Sequence, residues 1–331
     1  MVLYVIGLGL ADENDITLKG FEAVKSSERI YLESYTSILM VPGFKERLEE
    51  LYQKPVILAH RETVELEAES ILEGAVTSNV AFLVVGDPLS ATTHTDLILR
   101  ARQSSPPIPV KIIHNASIMT AIGSSGLAGY NFGQTVSVPF WTEDWKPDSW
   151  LERIGENLHM GLHTLTLSDI KVREQSAEDM SRGILRYMGP RYMLIPQLIS
   201  QIISAAQSHK ADYLHPDRTL AITLCRMGSE QERILSGTLQ ELLDMANPTE
   251  EEARAEDAQD DADELASEAE LDNRRSARAE ARAKKAFGEP LHSLVIVGKR
   301  LHPLERDYAA SYACPGSQFL QVAHEVYGCK K

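Results

Sequence analysis

Six consecutive apolar residues, Val80-Ala81-Phe82-Leu83-Val84-Val85, run straight into Gly86-Asp87-Pro88. Side chains along a strand alternate between two faces, so an unbroken apolar run must be covered on both. Such a strand belongs in the middle of a layered α/β molecule, not in a sheet with one wet face. Its neighbours in sequence agree. Short apolar runs at Leu3–Gly7, Arg29–Leu32, Pro55–Leu58 and Val110–Ile113 alternate with amphipathic stretches. The latter read as helices over about Thr17–Val24, with Asp15 as N-cap, and over Gly43–Tyr52, Glu65–Glu73 and Asp96–Gln103. A further helix starts over Ser117–Ile122. Alternation of this kind predicts a mainly parallel sheet with helices on both faces.

With 331 residues the chain is long enough for two domains. The character changes after Pro139-Phe140-Trp141, where Trp141, Trp145 and Trp150 cluster around Pro147. This marks a packed connection. It divides an N-terminal α/β domain, 1–138, from a C-terminal α+β domain, 139–331, with a mixed sheet. In the second part, His163–Leu167, Leu220–Leu224 and Leu294–Val297 read as strands and Ile195–Ala206 and Thr238–Met245 as helices. The strands lie far apart in sequence, so their pairing order is not readable. Glu250–Lys285 interrupts this part with 13 Asp/Glu and 7 Lys/Arg. Twelve of those acids precede Asn273 and six of those bases follow it. Leu265 and Leu271 are its two large apolar residues, too few for a core element, so a solvated helix or a helical hairpin is expected. The tail beyond Pro303 is weakly patterned and is expected to be loose.

Charge and cysteine content narrow the function. A net charge of −15 is unsuited to gripping nucleic acid, and no apolar run approaches the roughly 20 residues that span a bilayer. Cys225, Cys314 and Cys329 form no CxxC pair, which argues against a disulfide framework or a cysteine zinc site. Reduced thiols, together with an N-terminus lacking a basic leader, lead to the expectation of a cytoplasmic protein with no metal.

Three strand ends in the first half carry turn chemistry. Gly7-Leu8-Gly9-Leu10 sits where a phosphate-binding loop would, but the third position of a GxGxxG fingerprint is Asp12, whose charge argues against a Rossmann dinucleotide site. The turn is either a tight strand exit or the same exit with a ligand against it. Gly86-Asp87-Pro88-Leu89-Ser90 follows the best strand and His114-Asn115-Ala116-Ser117 the next. Asp87 suits either a helix-capping turn or a bond to a ligand amine or hydroxyl. If the three strands are neighbours, their loops border one crevice at the carboxyl edge of the sheet, where open α/β sheets bind ligands. His94, Met227 and His292 read individually as structural. No HExxH, P-loop or GxSxG occurs.

Taken in order, LYVIGLGL at 3–10, GDP with ATTHTDL at 86–97, HNASIM at 114–119, HTL-x-L-x-DIKV-x-EQS from His163, PRYM at 190–193 and GEPLHSLVIVG at 288–298 resemble the diphthine synthase family. They are most similar to its eukaryotic diphthine methyl ester synthases, which belong to the tetrapyrrole-methylase-like methyltransferases. The resemblance runs from Met1 to about His302, apart from the charged insertion. It implies a two-domain tetrapyrrole-methylase-like fold, a homodimer, and S-adenosylmethionine as cofactor, leaving as S-adenosylhomocysteine. The implied substrate is elongation factor 2 bearing a 3-amino-3-carboxypropyl group on a histidine. Three methyls would go to the amine and one to a carboxylate.

Carried over motif by motif, the implied cofactor contacts are Leu10, Asp87, Ser90, Ser117, Ile118, Ser168, Met227 and His292. Leu89-Ser90 stands where the family commonly has Phe-Gly, so a left-handed backbone at position 90 would strain the serine. Ser168 stands where the family commonly has Leu. No residue is singled out as a catalytic base. Methyl transfer from a sulfonium needs an in-line nucleophile at close approach and a dry site. The competing readings are a methyltransferase acting on a small tetrapyrrole and a non-catalytic S-adenosylmethionine-binding module.

Overall fold

The computed structural model describes residues 1–39, 41–175, 179, 181–261, 263 and 266–330, with the side chain of Asp261 left aside. Ser176 of the EQS block and Leu265 of the insertion lie outside the described residues.

The fold is α/β, with a parallel sheet and a mixed sheet. The first comprises β1 (Leu3–Gly7), β2 (Arg29–Glu33), β3 (Val56–Ala59), β4 (Val80–Val84) and β5 (Val110–Ile113) in the order β3-β2-β4-β1-β5. Every pairing in it is parallel. Along β4, Val80, Phe82 and Val84 enter one apolar cluster and Ala81, Leu83 and Val85 the other. Both faces are thus buried, as the continuous apolar run requires.

The mixed sheet comprises β6 (Val136–Val138), β7 (Thr164–Ser168), β10 (Leu220–Cys225), β11 (Arg233–Thr238) and β12 (His292–Ile296) in the order β11-β10-β12-β7-β6. Its pairings are antiparallel except β6 with β7. Two short strands, β8 (Ile170–Lys171) and β9 (Arg191–Tyr192), pair separately.

The chain forms two compact units. One contains Met1–Ala121, Ile170–Arg191 and Met227–Glu230; the other contains Ile122–Asp169, Tyr192–Arg226 and Gln231–Lys331. The core of the second gathers Phe140, Trp150, Ile195, Leu198, Leu242 and Phe287. Trp141 and Trp150 both donate their indole N–H to the Pro147 carbonyl at 3.0 Å, which fixes the tryptophan cluster within this unit.

Local structure departs from expectation in several places. Asp15 does not cap the first helix, Leu18–Lys25; Thr17 does, accepting from Gly20 N–H. The expected helix over Glu65–Glu73 is two helices, Arg61–Glu65 and Glu69–Thr77, with Leu66 highly exposed between them. The tail is ordered as the helices Pro303–Ala310 and Phe319–Glu325, with Ala309, Phe319 and Val322 buried.

The charged insertion forms the helices Glu250–Asp261 and Glu268–Phe287. Glu252–Lys285, Glu256–Arg282, Asp260–Arg278 and Asp263–Arg274 ion pairs link them as an antiparallel hairpin. Its root is part of the core after all, since Ala283, Ala286 and Phe287 are buried with the second sheet's cluster.

Candidate functional site

Strands β1, β4 and β5 are neighbours, so the loops leaving them share the carboxyl edge of the first sheet. Gly9 and Gly86 exchange backbone hydrogen bonds, Gly9 N–H to Gly86 O at 3.2 Å and Gly86 N–H to Gly9 O at 2.7 Å. Both glycines sit in the left-handed region, at φ +86° and +77°. At Gly7 the demand is steric, because an added Cβ would lie 2.5 Å from the Gly86 carbonyl oxygen.

The first turn is closed from below by Asp15. Its Oδ2 accepts from Leu10 N–H at 3.0 Å and Ala11 N–H at 2.7 Å. Those are the N–H groups a phosphate would use at such a turn. A side-chain carboxylate already holds them, which gives a geometric reason against a dinucleotide phosphate here. Asp12, the acid noted in the motif, instead caps the short helix Glu13–Asp15 by accepting from Asn14 N–H.

Asp87 ties the second and third loops together. Its Oδ1 accepts from Leu89 N–H at 2.9 Å and from the Ser90 hydroxyl at 3.3 Å. Its Oδ2 meets His114 Nδ1 at 2.7 Å and accepts from Asn115 N–H at 3.2 Å. Burial alone would raise this carboxyl, but the Leu89, His114 and Asn115 donors outweigh it and hold the group below the usual carboxylate range. Asn115 adds a second tie, donating from Nδ2 to Gly7 O at 3.0 Å and to Asp15 O at 2.9 Å. Beyond Gly86, the residue of the GDP loop in the left-handed region is Ala91, at φ +57°, and not Ser90, so the serine carries no such strain.

Ser117 is buried, and its Oγ accepts from Met119 N–H at 3.2 Å, opening the short helix Ile118–Ala121. Ile118 and Leu10 are half-buried. Met227-Gly228 belongs to the same unit although it follows β10. Gly228 lies at φ +81°, and a Cβ there would meet Leu10 Cβ at 3.1 Å. The unit therefore brings together Leu10, Asp87, Ser90, Ser117 and Ile118 on adjoining loops, with the Met227 turn against Leu10.

Ser168 and His292 belong to the other unit and are joined there. The Ser168 hydroxyl donates to the His292 carbonyl. The His292 ring is spoken for: Ile195 N–H points at Nδ1 at 3.4 Å, and Nε2 lies 3.1 Å from Gly288 O and 3.2 Å from Glu289 O. Nε2 therefore carries the proton and Nδ1 the lone pair. Burial lowers the ring pKa to about 4. Arg226 braces the same turn, its Nη1 donating to Pro290 O at 2.9 Å and its N–H to Leu291 O at 2.9 Å. Asp15, Asn115 and Arg226 were not anticipated as site-building residues. Their contacts are made across more than twenty residues or by side chain to backbone, which spacing does not reveal.

No group of three or more His, Cys, Asp or Glu side chains that could hold a metal occurs among the described residues. No helix among them is long and apolar enough to cross a membrane.

Comparison with known proteins fixes the family. Residues 2–243 match the Tetrapyrrole (Corrin/Porphyrin) Methylases. Over 327 residues the chain is 46% identical to the diphthine methyl ester synthase of Aspergillus fumigatus, covering 99% of each. The chain belongs to the diphthine methyl ester synthases. The Mus musculus relative of that name is 44% identical over 320 residues, 96% of this chain and 98% of the relative. A solved structure from Entamoeba histolytica described as a diphthine synthase superposes with a TM-score of 0.71 at 37% identity, covering 95% of this chain and 98% of that one. A second diphthine synthase structure gives a TM-score of 0.71 at 25% identity, covering 98% and 99%. A diphthine methyl ester synthase is a methyltransferase, so this chain is an enzyme of that class. The match continues past His302, where the sequence motifs end.

Proposed function

We propose that this chain uses S-adenosylmethionine to methylate the 3-amino-3-carboxypropyl group on a histidine of elongation factor 2. In this reading three methyls go to the amine and one to a carboxylate, giving diphthine methyl ester. The observation that carries it is near-full-length identity of 44–46% to relatives named for that product. The proposed cofactor contacts are Leu10, Asp87, Ser90, Ser117, Ile118 and Met227 in one unit and Ser168 and His292 in the other.

The first group suits the cofactor chemically. Leu10, Ile118 and Met227 supply apolar surface for an adenine and a thioether carbon chain. The Ser90 and Ser117 hydroxyls and the open glycine turns supply polar groups for the ribose and the amino-acid end. When bound, the cofactor supplies a methyl group on a positively charged sulfur. This chain's residues then bind and orient it, exclude water, and hold the acceptor in line with the carbon–sulfur bond. Asp87 contributes by fixing two loops. His292, neutral near pH 7, contributes by holding the 288–291 turn. The substrate amine has to be unprotonated at each transfer, whereas a carboxylate is nucleophilic as it stands.

The reading further places the protein in the cytoplasm as a homodimer, with elongation factor 2 as its partner and no nucleic acid or membrane partner. The test is incubation with S-adenosylmethionine and elongation factor 2 carrying the unmethylated group, followed by mass spectrometry of the histidine peptide. Four added methyls are expected. An unmodified peptide, alongside a tetrapyrrole that is methylated or a cofactor that binds without turnover, would sink it.

A further inference from the structure

A cavity of about 490 Å³ opens within the second unit, and neither Ser168 nor His292 lines it. Its apolar wall is Leu158, Val297 and Val326. Tyr213 forms one side. The bare backbone of Gly155 permits this, because a Cβ there would lie 2.7 Å from the Tyr213 ring. Tyr213 is 40% exposed, and its hydroxyl donates to Leu151 O at 3.3 Å, so the ring is fixed while much of it stays open. Tyr327 also lines the cavity and is pinned there, accepting from Leu220 N–H at 2.8 Å and donating to Val297 O at 3.3 Å.

The polar lining is unbalanced. His159, His215, Arg218 and Lys299 line this cavity, with Asp212 as the one acid among the described lining residues. The chain as a whole carries a net charge of −15, and its hairpin cations are paired across the two helices. Neither Arg218 nor Lys299 makes an ion pair among the described residues. A guanidinium and an ammonium left unneutralised in a concavity of an acidic molecule favour an anion, and an arginine favours one with phosphate or carboxylate geometry. The volume falls in the range of small-molecule sites, roughly 300–1,000 Å³.

We propose that this cavity binds a small organic phosphate of nucleotide size. Arg218 and Lys299 take the phosphate, His159 and His215 supply further donors, and a planar base lies against Tyr213 and the apolar wall. This site is separate from the methylation residues and does not depend on the function proposed above.

Isothermal titration with ADP and with adenosine tests it, each with and without saturating S-adenosylhomocysteine, at low and high salt. The expected result is saturable ADP binding that survives S-adenosylhomocysteine and weakens with salt, and no binding of adenosine. Arg218→Glu and the milder Arg218→Ala are both surface changes. They should weaken ADP at least tenfold while leaving the melting temperature and S-adenosylhomocysteine binding unchanged. Absence of saturable ADP binding, displacement by S-adenosylhomocysteine, adenosine binding as tightly as ADP, or undiminished ADP binding by both variants would each overturn the proposal.

Discussion

At the scale of single residues, Asp87 and His292 hold loops in place. Asp87 holds four donors from two loops, so Asp87→Ala should loosen both loops as well as the proposed cofactor site they would border. A charge-assisted hydrogen bond is worth about 1.5–3 kcal/mol, which predicts a loss of S-adenosylmethionine affinity on the order of tenfold or more. Calorimetry decides it, and unchanged affinity removes Asp87 from the site. A drop in melting temperature should accompany the loss, because the carboxylate links the β4 and β5 exits. His292 makes a separate prediction. Its pKa of about 4 in the folded chain lies below the ordinary histidine value near 6.5, so the unfolded state binds the extra proton first. The ring's contribution is fully present above pH 6.5 and fades as the pH falls toward 4, by roughly 3 kcal/mol at most. Urea midpoints measured across that window should slope less steeply in His292→Gln, whose amide can still donate to Gly288 O. An identical slope would mean that other groups carry the acid sensitivity. The family was legible in the ordered motifs, but what each side chain touches was not. Asp15 read as a helix cap and proved to close the glycine turn through Leu10 and Ala11.

At the scale of elements, the strands with continuous apolar runs were legible because burial on both faces leaves no other pattern. β11 was not, since Arg233, Ser236 and Thr238 break its apolar run, and its partner β10 ends seven residues before it. The split helix around Leu66 was hidden for a related reason: an apolar residue out in solvent mimics a helix-facing stripe. The hairpin Glu250–Phe287 was legible as charged and helical, but not in where it ends. Replacing 250–281 by a short linker should leave the proposed methyl transfer to elongation factor 2 largely intact, because loop closure costs only logarithmically with length and the pairs Glu256–Arg282 and Asp260–Arg278 serve the hairpin itself. Phe287→Ala should behave otherwise and destabilise the second unit by about 3–5 kcal/mol, since that ring is fully buried. Chemical denaturation of the two variants separates these outcomes. A large loss of rate in the linker variant at both low and high salt, with cofactor affinity kept, would make the hairpin a docking element.

At the scale of the whole molecule, the three thiols report on one unit. Cys225, Cys314 and Cys329 are buried, and all lie in the second unit. Burial pushes the Cys225 thiol up to about 12 and raises the other two as well. The thiolate is the reactive form, so alkylation of the native protein should be slow at neutral pH and reach three equivalents only in denaturant. Cys329, 5% exposed, should label ahead of Cys225, which is fully buried at the end of β10; peptide mass spectrometry orders them. Rapid native labelling of Cys225 would contradict a closed second core.

The first unit is assembled from three separate stretches of chain, and this sets an order of events during synthesis. All five strands of its sheet have left the ribosome once Ile113 is clear, so the parallel layer and its glycine turns can form early. The turn at Met227–Gly228, which packs on Leu10, is made more than a hundred residues later, after β10. A nascent chain that stops between the two carries a finished sheet whose Leu10 loop still lacks the turn that packs on it. On the proposed reading, methylation competence therefore arises late, when translation is already well into the second unit.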